Sequence, residues 1–368
     1  MKDNIGLSVG KLIYQLFLCD RGIAMNEWRE QLKNSITEIE DLKKYIHLSE
    51  SEQQAVQEKK VQITPYMMNL ISHFASESGL RNQFIPTVNQ TDFQYQDDYL
   101  NELEFQPVPN LIHKYKNRVI IIATNACACY CQFCTRQRVT KNNIFCFDRE
   151  QILNYIKTNK SINDVLITGG DPLIWDTQNI GSLIDSVADI EHIKVIRIGT
   201  RVPITLPMRI DDELINTLSK YNNLYINIHV NHPLELTYES QKAILRLANA
   251  GIPLGSQSVL LKGINDNAVT LKELFEKLIS IKVKPYYLYQ CDKVAGCENY
   301  ITNPEKGIAL INNLAQELSG LALPKFVIDT PDAGKKVLAP CHLYCIDENA
   351  VYIQTDNTNI VYSTAELM

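Results

Sequence analysis

Three cysteines in one short stretch of the chain have the spacing that iron–sulfur chemistry requires. Cys127, Cys131 and Cys134 follow a C-x3-C-x2-C pattern. Three thiolates from a tight loop take three corners of a 4Fe–4S cube and leave the fourth iron open to a small ligand. Ordinary buried cysteines or a zinc knuckle are the alternatives, but no second Cys/His pair with metal spacing lies nearby. Cys129 does not fit this spacing, so we predict that it is not a ligand.

The elements that position this loop are predicted from six short apolar or β-branched runs that alternate with helical patterns. The runs cover residues 118–124, 164–168, 194–199, 224–230, 254–261 and 284–290. Helices are expected near residues 148–158, 178–189, 211–220, 237–250, 268–281 and 304–318. Such alternation indicates a parallel sheet with right-handed crossovers. We therefore predict an α/β fold, a partial (βα)6 TIM-like barrel that is open at one side.

The placement of polar residues also favours a barrel. The cysteine loop follows the first run, and other polar or glycine-rich groups lie at the ends of later runs: Gly169–Asp171, Thr200–Arg201, Asn231–His232 and Gln290–Asp292, with Gln257 inside the fifth run. The active site of a (βα) barrel is built at the carboxyl ends of its strands. We expect these groups to meet in one site.

The rest of the chain divides into regions of different composition. Residues 25–110 are predicted to form a helical cap and a linker, with apolar residues at helical spacing from Trp28 onward. Residues 111–330 form the barrel, and residues 331–368 form a C-terminal segment. We expect residues 1–24 to be an extension that need not be ordered. The apolar run from Leu12 to Cys19 is too short and broken for a signal sequence.

Composition narrows the classes of function. The formal net charge of −6 argues against a surface for nucleic acid or anionic membrane, since both require a basic face. Ten cysteines in 368 residues, three of them in a cluster motif, fit a reducing compartment better than a secreted disulfide scaffold. We therefore expect a cytoplasmic protein that binds small molecules.

Several sequence blocks, together with the cysteine spacing, resemble the lysine 2,3-aminomutase family of radical S-adenosylmethionine (SAM) enzymes. They are Arg118–Thr124, Cys134–Arg138, Thr168–Leu173, Ile198–Arg201, Asn231–Pro233, Gln257–Leu261, Pro285–Asp292 and Asp329–Lys336. The resemblance covers roughly residues 25–365. It implies an isomerase that uses a 4Fe–4S cluster, SAM and pyridoxal 5′-phosphate (PLP) to move the amino group of lysine from carbon 2 to carbon 3.

A first group of residues is expected to contact SAM. Gly169, Gly170 and Asp171 at a strand end would give close backbone approach and an acceptor for the methionyl ammonium. The resemblance implies that three further residues face SAM: Phe133, His229 and Gln257. From the sequence pattern alone, His229 is more often a core histidine whose hydrogen bonds are made within the protein.

A second group is expected to hold PLP, in a segment that begins at residue 331. Counting forward from Asp329 in the family register gives Lys336 as the lysine that bonds PLP, with Lys335 as its rival. Asp332, Ala333 and Lys335 stand where the family has glycines, which stiffens the loop. The family's phosphate-binding stretch nominates three more residues: Lys114, Tyr115 and Arg118.

The resemblance also assigns the substrate contacts. Arg136 would bind the α-carboxylate, and Asp292 and Asp329 would bind the side-chain ammonium. Arginine or another amino acid as substrate, the elongation factor P β-lysylation branch, and a non-catalytic iron–sulfur protein remain the alternatives. We further expect a flavodoxin or ferredoxin as reductant, a homo-oligomer, and no structural zinc, since Cys341 and Cys345 are too few ligands for such a site.

Overall fold

The structure is a computed structural model that describes residues 28–74, 78–88, 95–141, 145–331, 333–340, 343–346, 350–354 and 359–363. The predicted extension at residues 1–24 lies outside the described residues. So does Cys341, one of the two cysteines weighed as zinc ligands.

A nine-stranded sheet forms the centre of the molecule, and its strands neighbour one another in chain order. β1 and β2 are antiparallel, β2 to β8 are parallel, and β8 and β9 are antiparallel. The strands are β1 (Leu111–Tyr115), β2 (Arg118–Thr124), β3 (Asp164–Gly169), β4 (Val195–Thr200), β5 (Leu224–His229), β6 (Leu254–Leu260), β7 (Lys284–Gln290), β8 (Lys325–Ile328) and β9 (Lys336–Ala339). The described strands show no pairing of β1 with β9, so the barrel is open and the predicted fold class is confirmed.

Helices cross over between the parallel strands as the alternating pattern predicts. Several begin at a side-chain cap; the side chains of Asp148, Asp211, Thr237 and Asn267 each accept from a backbone N–H in the first turn. The helices are α1 (Trp28–Lys33), α2 (Ile39–Leu42), α3 (Glu50–Glu58), α4 (Pro65–His73), α5 (Ser78–Arg81), α6 (Gln137–Lys141), α7 (Arg149–Thr158), α8 (Thr177–Ala188), α9 (Val202–Thr205), α10 (Asp212–Leu218), α11 (Tyr238–Asn249), α12 (Ala268–Ser280) and α13 (Pro304–Leu314).

Two features extend the predicted barrel. β8 adds a seventh parallel strand after α13, and β9 returns antiparallel beside it. Beyond them lies a three-stranded antiparallel sheet of β10 (Leu343–Ile346), β11 (Ala350–Gln354) and β12 (Asn359–Ser363). The predicted boundary between residues 330 and 331 thus falls between two paired strands. The division of the chain at residues 110 and 330 stays a prediction.

The N-terminal helices share the apolar core of the barrel. Trp28, Met67 and Phe84 belong to the same buried cluster as Val165 and Ile196 from the strands. Burial of this shared surface stabilises the helices on the barrel and fixes the segment that leads into β1. In the part of the chain that the structure describes, no helix is both long and apolar enough to cross a bilayer.

Candidate active site

A cavity of about 460 Å³ lies inside the barrel, and its lining extends from Arg118 and Asp164, the first residues of β2 and β3, to residues that follow the carboxyl ends of the strands. This volume is typical of sites for small ligands and cofactors. Of the residues given a role from the sequence, all but Lys336 line the cavity: Lys114, Tyr115, Arg118, Cys127, Cys131, Phe133, Cys134, Arg136, Gly169, Gly170, Asp171, His229, Gln257, Asp292 and Asp329. Asn231 and His232, which were expected at the same site, do not line it.

The thiols of Cys127, Cys131 and Cys134 line one wall of this cavity. Burial raises the pKa of each thiol, to about 12 for Cys134, so a cationic partner is needed to stabilise the thiolates. Among the described residues, no three His, Cys, Asp or Glu side chains converge on a single metal ion. Three cysteines of one loop that line the same cavity are a ligand set that suits a 4Fe–4S cluster with one open iron.

Cys129 is held differently from the other three cysteines of the loop. Its Sγ accepts a hydrogen bond from the backbone N–H of Thr64 at 3.3 Å. Its side chain is 4% exposed and belongs to the main apolar core. These contacts are consistent with the prediction that Cys129 is not a ligand.

Arg201 links the cysteine loop to a buried carboxylate. Its Nη1 lies 2.6 Å from Cys131 Sγ, and its Nη2 donates to Glu235 at 2.7 Å and to Gln83 at 2.6 Å. Burial alone would lower the pKa of Arg201, but Cys131 and Glu235 more than offset it and raise the pKa. The loop is therefore anchored through a fully charged, buried pair.

The glycine pair after β3 is fixed by contact with the cysteine loop. A Cβ on Gly169 would lie 2.4 Å from the Thr124 carbonyl oxygen, and one on Gly170 would lie 2.0 Å from that of Ala126. Gly169 also has φ of +138°, which favours glycine. No larger residue fits without moving the loop that carries the cysteines.

Asp171 has a different environment from the one predicted. Its carboxylate accepts from the Thr200 hydroxyl at 2.7 and 2.9 Å and from the backbone N–H groups of Leu173, Arg201 and Val202 at 3.1, 2.6 and 3.2 Å. Burial nevertheless raises its pKa to about 6. Protein donors occupy both oxygens, so Asp171 joins the ends of β3 and β4. Its role as an acceptor for a ligand ammonium stays a prediction.

Aromatic and polar groups form the wall predicted to face SAM. The Phe133 and His229 rings stack with centroids 5.5 Å apart. Burial and Arg201 lower the pKa of His229 to about 3, so the ring is neutral, and its Nε2 accepts from Asn231 at 3.0 Å. Gln257, beside His229 on the neighbouring strand, donates to the Tyr289 hydroxyl at 3.3 Å.

The two adjacent lysines occupy opposite environments. Lys335 lines the cavity; its Nζ donates to the Tyr289 hydroxyl at 2.9 Å and lies 3.5 Å from Asp329 Oδ2 and 5.0 Å above the Tyr287 ring. Lys336, the first residue of β9, is exposed and does not line the cavity. Successive side chains of an extended segment point in opposite directions, so only one of the two reaches the site. This geometry favours Lys335, and the choice of Lys336 as the PLP lysine stays a prediction.

The loop before Lys335 is pressed against the proposed phosphate end of the cavity. The Tyr115 hydroxyl accepts from the Lys335 backbone N–H at 2.8 Å, and the Arg118 guanidinium lies 3.9 Å from the Tyr115 ring centroid. Lys114 Nζ donates to the carbonyl of Thr330 at 2.9 Å, which ties β1 to the same loop. Two cationic groups beside a half-buried lysine and tyrosine rings fit an aldehyde cofactor that carries a phosphate.

Two carboxylates, Asp292 and Asp329, line the same cavity as Lys335. Burial raises the pKa of Asp292 to about 7, and Asp329 adds to the shift. The Thr135 hydroxyl donates to Asp292 Oδ2 at 2.9 Å. An anionic pair of this kind is stabilised by a cation between its members.

The Arg136 guanidinium donates hydrogen bonds to Glu102, a residue that the sequence analysis did not single out. Its Nε donates to both carboxylate oxygens of Glu102 at 3.1 Å, and its Nη2 donates to Oε1 at 2.7 Å. Arg138 Nη2 donates to the other oxygen at 2.7 Å. Burial would raise the pKa of Glu102, but the two arginines lower it to about 2.

Comparison with known proteins decides the family. The Radical SAM superfamily model matches residues 121–275. An L-lysine 2,3-aminomutase of Clostridium subterminale is 41% identical over 332 residues, covering 88% of this chain and 80% of that protein. The corresponding protein of Fusobacterium nucleatum is 42% identical over 320 residues, covering 84% and 75%. The chain belongs to the lysine 2,3-aminomutase family. A glutamate 2,3-aminomutase of Clostridioides difficile is also 36% identical, covering 90% of this chain and 80% of that protein.

Membership confirms the predicted class and cofactors. The aminomutase is a radical SAM isomerase that uses a 4Fe–4S cluster, SAM and PLP. The wall of three thiols and the cationic lysine pocket fit the cluster and PLP respectively. The comparison leaves the amino acid open, because relatives with two different substrates in their names match over most of the chain.

Several cavity residues of the aminomutase were missed by sequence reasoning. Tyr287 and Tyr289 lie inside a block that carried the resemblance, so membership in that block was the available signal. Glu102 lies in a polar stretch before β1 with no periodicity or motif. Only the fold brings its carboxylate to the arginines that follow the cysteine loop.

Proposed function

We propose that the protein interconverts L-lysine and β-lysine by moving the α-amino group to the neighbouring carbon. The observation that carries the proposal is the pair Asp292 and Asp329 in the same cavity as Arg136. A guanidinium suits an α-carboxylate, and two carboxylates suit a side-chain ammonium. A substrate with one group of each kind matches the cavity.

The charges of the cavity argue against an acidic amino acid. A glutamate side chain would meet Asp292 and Asp329, and burial together with the charge of Asp329 already raises the pKa of Asp292. A buried carboxylate without a cation costs several kcal/mol, so lysine is favoured over glutamate. Arginine has the same charge with a longer planar head, and the substrate assay below includes it for that reason.

The cofactors, when bound, supply the radical chemistry and the group on which the amino nitrogen migrates. The chain's own residues bind and orient them. Cys127, Cys131 and Cys134 would bind the cluster. Lys335 would hold PLP at its Nζ; burial lowers the pKa of this lysine despite the opposing charge of Asp329 and so favours the neutral, nucleophilic amine.

The remaining nominated residues would orient and enclose the ligands. Lys114, Tyr115 and Arg118 lie where they would receive the PLP phosphate. The stacked Phe133 and neutral His229 would cover the SAM side, with Gln257 beside them. Enclosure by buried rings keeps water away from radical chemistry.

Electron supply and assembly belong to the same proposal. A flavodoxin or ferredoxin would reduce the cluster, and the protein would act as a homo-oligomer. The abundance of cysteine, with seven free cysteines among the described residues, supports a reducing cytoplasm as its location.

A substrate assay tests the proposal. The protein is reconstituted anaerobically with iron, sulfide, PLP, SAM and a reductant, and is then given lysine, arginine or glutamate in separate reactions. Chromatography should detect β-lysine as the main product. A faster reaction with glutamate or arginine, or no amino migration with any of the three, would overturn the proposed substrate.

A further inference from the structure

Glu102 is a buried carboxylate that lines the active-site cavity. Its side chain is held in place from several directions: Arg136 and Arg138 donate to its oxygens, and its backbone N–H donates to Asp98 Oδ1 at 3.0 Å. Asp98 also lies 3.2 Å from Arg138 Nη2. The pKa of about 2 keeps the Glu102 carboxylate ionised.

The contact with Glu102 uses one edge of the Arg136 guanidinium. A guanidinium has five N–H groups, and Nε with one hydrogen of Nη2 forms a fork for one carboxylate. A guanidinium has two such forks, Nε with Nη2 and Nη1 with Nη2. In Arg136, Glu102 occupies the fork of Nε and Nη2. The described protein groups give Nη1 no hydrogen-bond partner, so the second fork, Nη1 with Nη2, is open to another carboxylate.

Charge leads to the same picture. Glu102 and Asp98 balance Arg136 and Arg138, so this corner of the cavity is close to neutral before a substrate enters. A balanced guanidinium attracts a carboxylate less by net charge than by the direction of its free N–H groups. The direction of Arg136 is therefore the property on which substrate binding depends.

We propose that Glu102 is a positioning residue that holds Arg136 with its second fork towards the α-carboxylate of the amino acid substrate. The inference rests on the proposed function, which assigns Arg136 to that carboxylate. Glu102 acts through Arg136 and does not itself touch the substrate. It would therefore govern the binding of amino acids that carry an α-carboxylate and have little effect on amines that lack one.

The test compares L-lysine with 1,5-diaminopentane, a lysine analogue without the carboxylate. In Glu102→Gln an N–H donor replaces one acceptor oxygen, so one arginine loses its partner. The dissociation constants of both compounds are measured by anaerobic calorimetry on PLP-loaded protein of known iron content. We expect the constant for lysine to rise about tenfold and that for 1,5-diaminopentane to change less than about twofold. In turnover, KM for lysine should rise more than kcat falls.

A matched control is available in the N-terminal helices. Arg81 Nε and Nη2 donate to Glu52 at 3.1 and 2.7 Å, the same kind of pair away from the cavity. Glu52→Gln should leave both dissociation constants unchanged. Glu102→Asp, which keeps two acceptor oxygens, should fall between the parent and Glu102→Gln for lysine. If both Glu102 variants lose their thermal unfolding transition, the role is structural and the proposal is wrong.

Arg136→Lys separates this inference from the proposed function. Unchanged lysine binding in Arg136→Lys would overturn the assignment of Arg136 itself. Weaker lysine binding in Arg136→Lys with unchanged binding in Glu102→Gln would overturn only the role of Glu102. Tighter lysine binding in Glu102→Gln would show that Glu102 competes with the substrate, and equal weakening of lysine and 1,5-diaminopentane would show a general structural role; either result contradicts the proposal.

Discussion

The adjacent residues Lys335 and Lys336 show what a count along the sequence cannot resolve. The family register gave Lys336, but the loop between Asp329 and β9 places Lys335 against Tyr289 and Asp329 and leaves Lys336 in solvent. Neighbouring residues of an extended chain differ by which side they face, and a loop with altered composition shifts that choice by one residue. The sequence predicts a lysine in this loop, and the structure favours the other member of the pair.

Borohydride reduction decides which lysine carries PLP. We expect the pyridoxyl label on Lys335 in the parent protein, because its half-buried amine lines the cavity and has a lowered pKa. Lys335→Ala should lose covalent PLP, and Lys336→Ala is the matched control that should keep it. Peptide mapping by mass spectrometry provides the measurement. A label on Lys336 would restore the register-based assignment.

The cysteine loop gives a second prediction at this scale. Cys129→Ser should keep its iron and sulfide, because Cys129 lies in the apolar core against Thr64. Cys131→Ser should lose most of both, because a missing corner destabilises the cube. Iron analysis and visible absorbance after anaerobic reconstitution measure the difference. If Cys131→Ser kept its iron and sulfide while Cys129→Ser lost them, the cluster ligands would be assigned wrongly.

The pKa of Asp292 predicts how lysine binding depends on pH. Burial, Asp329 and Glu102 raise this pKa, while Thr135 and Arg136 lower it, with a result of about 7. Only the ionised carboxylate attracts an ammonium, so the dissociation constant of lysine should be nearly flat above that pH and rise up to about tenfold per pH unit below it.

Asp292→Asn provides the control for this titration. Its lysine binding should be weak at every pH, with no break near the pKa of Asp292. Calorimetry at pH values above and below the break measures the dissociation constant of lysine for both proteins. A break that persists in Asp292→Asn would assign the titration to another group.

At the scale of elements, the alternation of strands and helices was enough to predict most of the barrel. The six runs coincide with β2 to β7 because each is apolar or β-branched and is followed by a helical pattern. β8 and β9 were missed because each has only four residues, and two residues of β9 are exposed. Strands this short form through pairing with neighbours and leave little periodicity in the sequence.

The turn before β9 yields a prediction about a single backbone position. Gly334 has φ of +65°, and a Cβ there would lie 2.6 Å from the Tyr115 hydroxyl oxygen. Gly334→Ala should therefore displace the loop that carries Lys335 and weaken PLP binding by about tenfold or more.

Gly263→Ala is the matched control for this turn. Gly263 has φ of +71°, but nothing lies within 4 Å of an added Cβ. Both variants thus have the same kind of backbone strain and differ in the clash with Tyr115. Fluorescence titration with PLP measures the affinity of each. Equal affinity in the two variants would show that the contact with Tyr115 does not shape the cofactor site.

At the scale of the whole molecule, one apolar core joins the N-terminal helices to the barrel, and one cavity collects side chains from most of its strands. The list of site residues could be predicted mainly from the resemblance to the family, and its polar groups at strand ends also from the rule that barrel strands deliver their carboxyl ends to one place. The pairing among those residues could not, because Glu102 and Arg136 are brought together only by the path of the chain before β1.

The central claim is that this cavity moves the α-amino group of lysine within the same molecule. The most direct measurement uses L-lysine labelled with 15N only at the α-amino group, in an anaerobic reaction with iron, sulfide, PLP, SAM and a reductant, followed by NMR of the product. We predict β-lysine with the label bonded to carbon 3 and unlabelled nitrogen at the side-chain end. Label released as ammonia, or lysine recovered unchanged while SAM is cleaved, would contradict the claim.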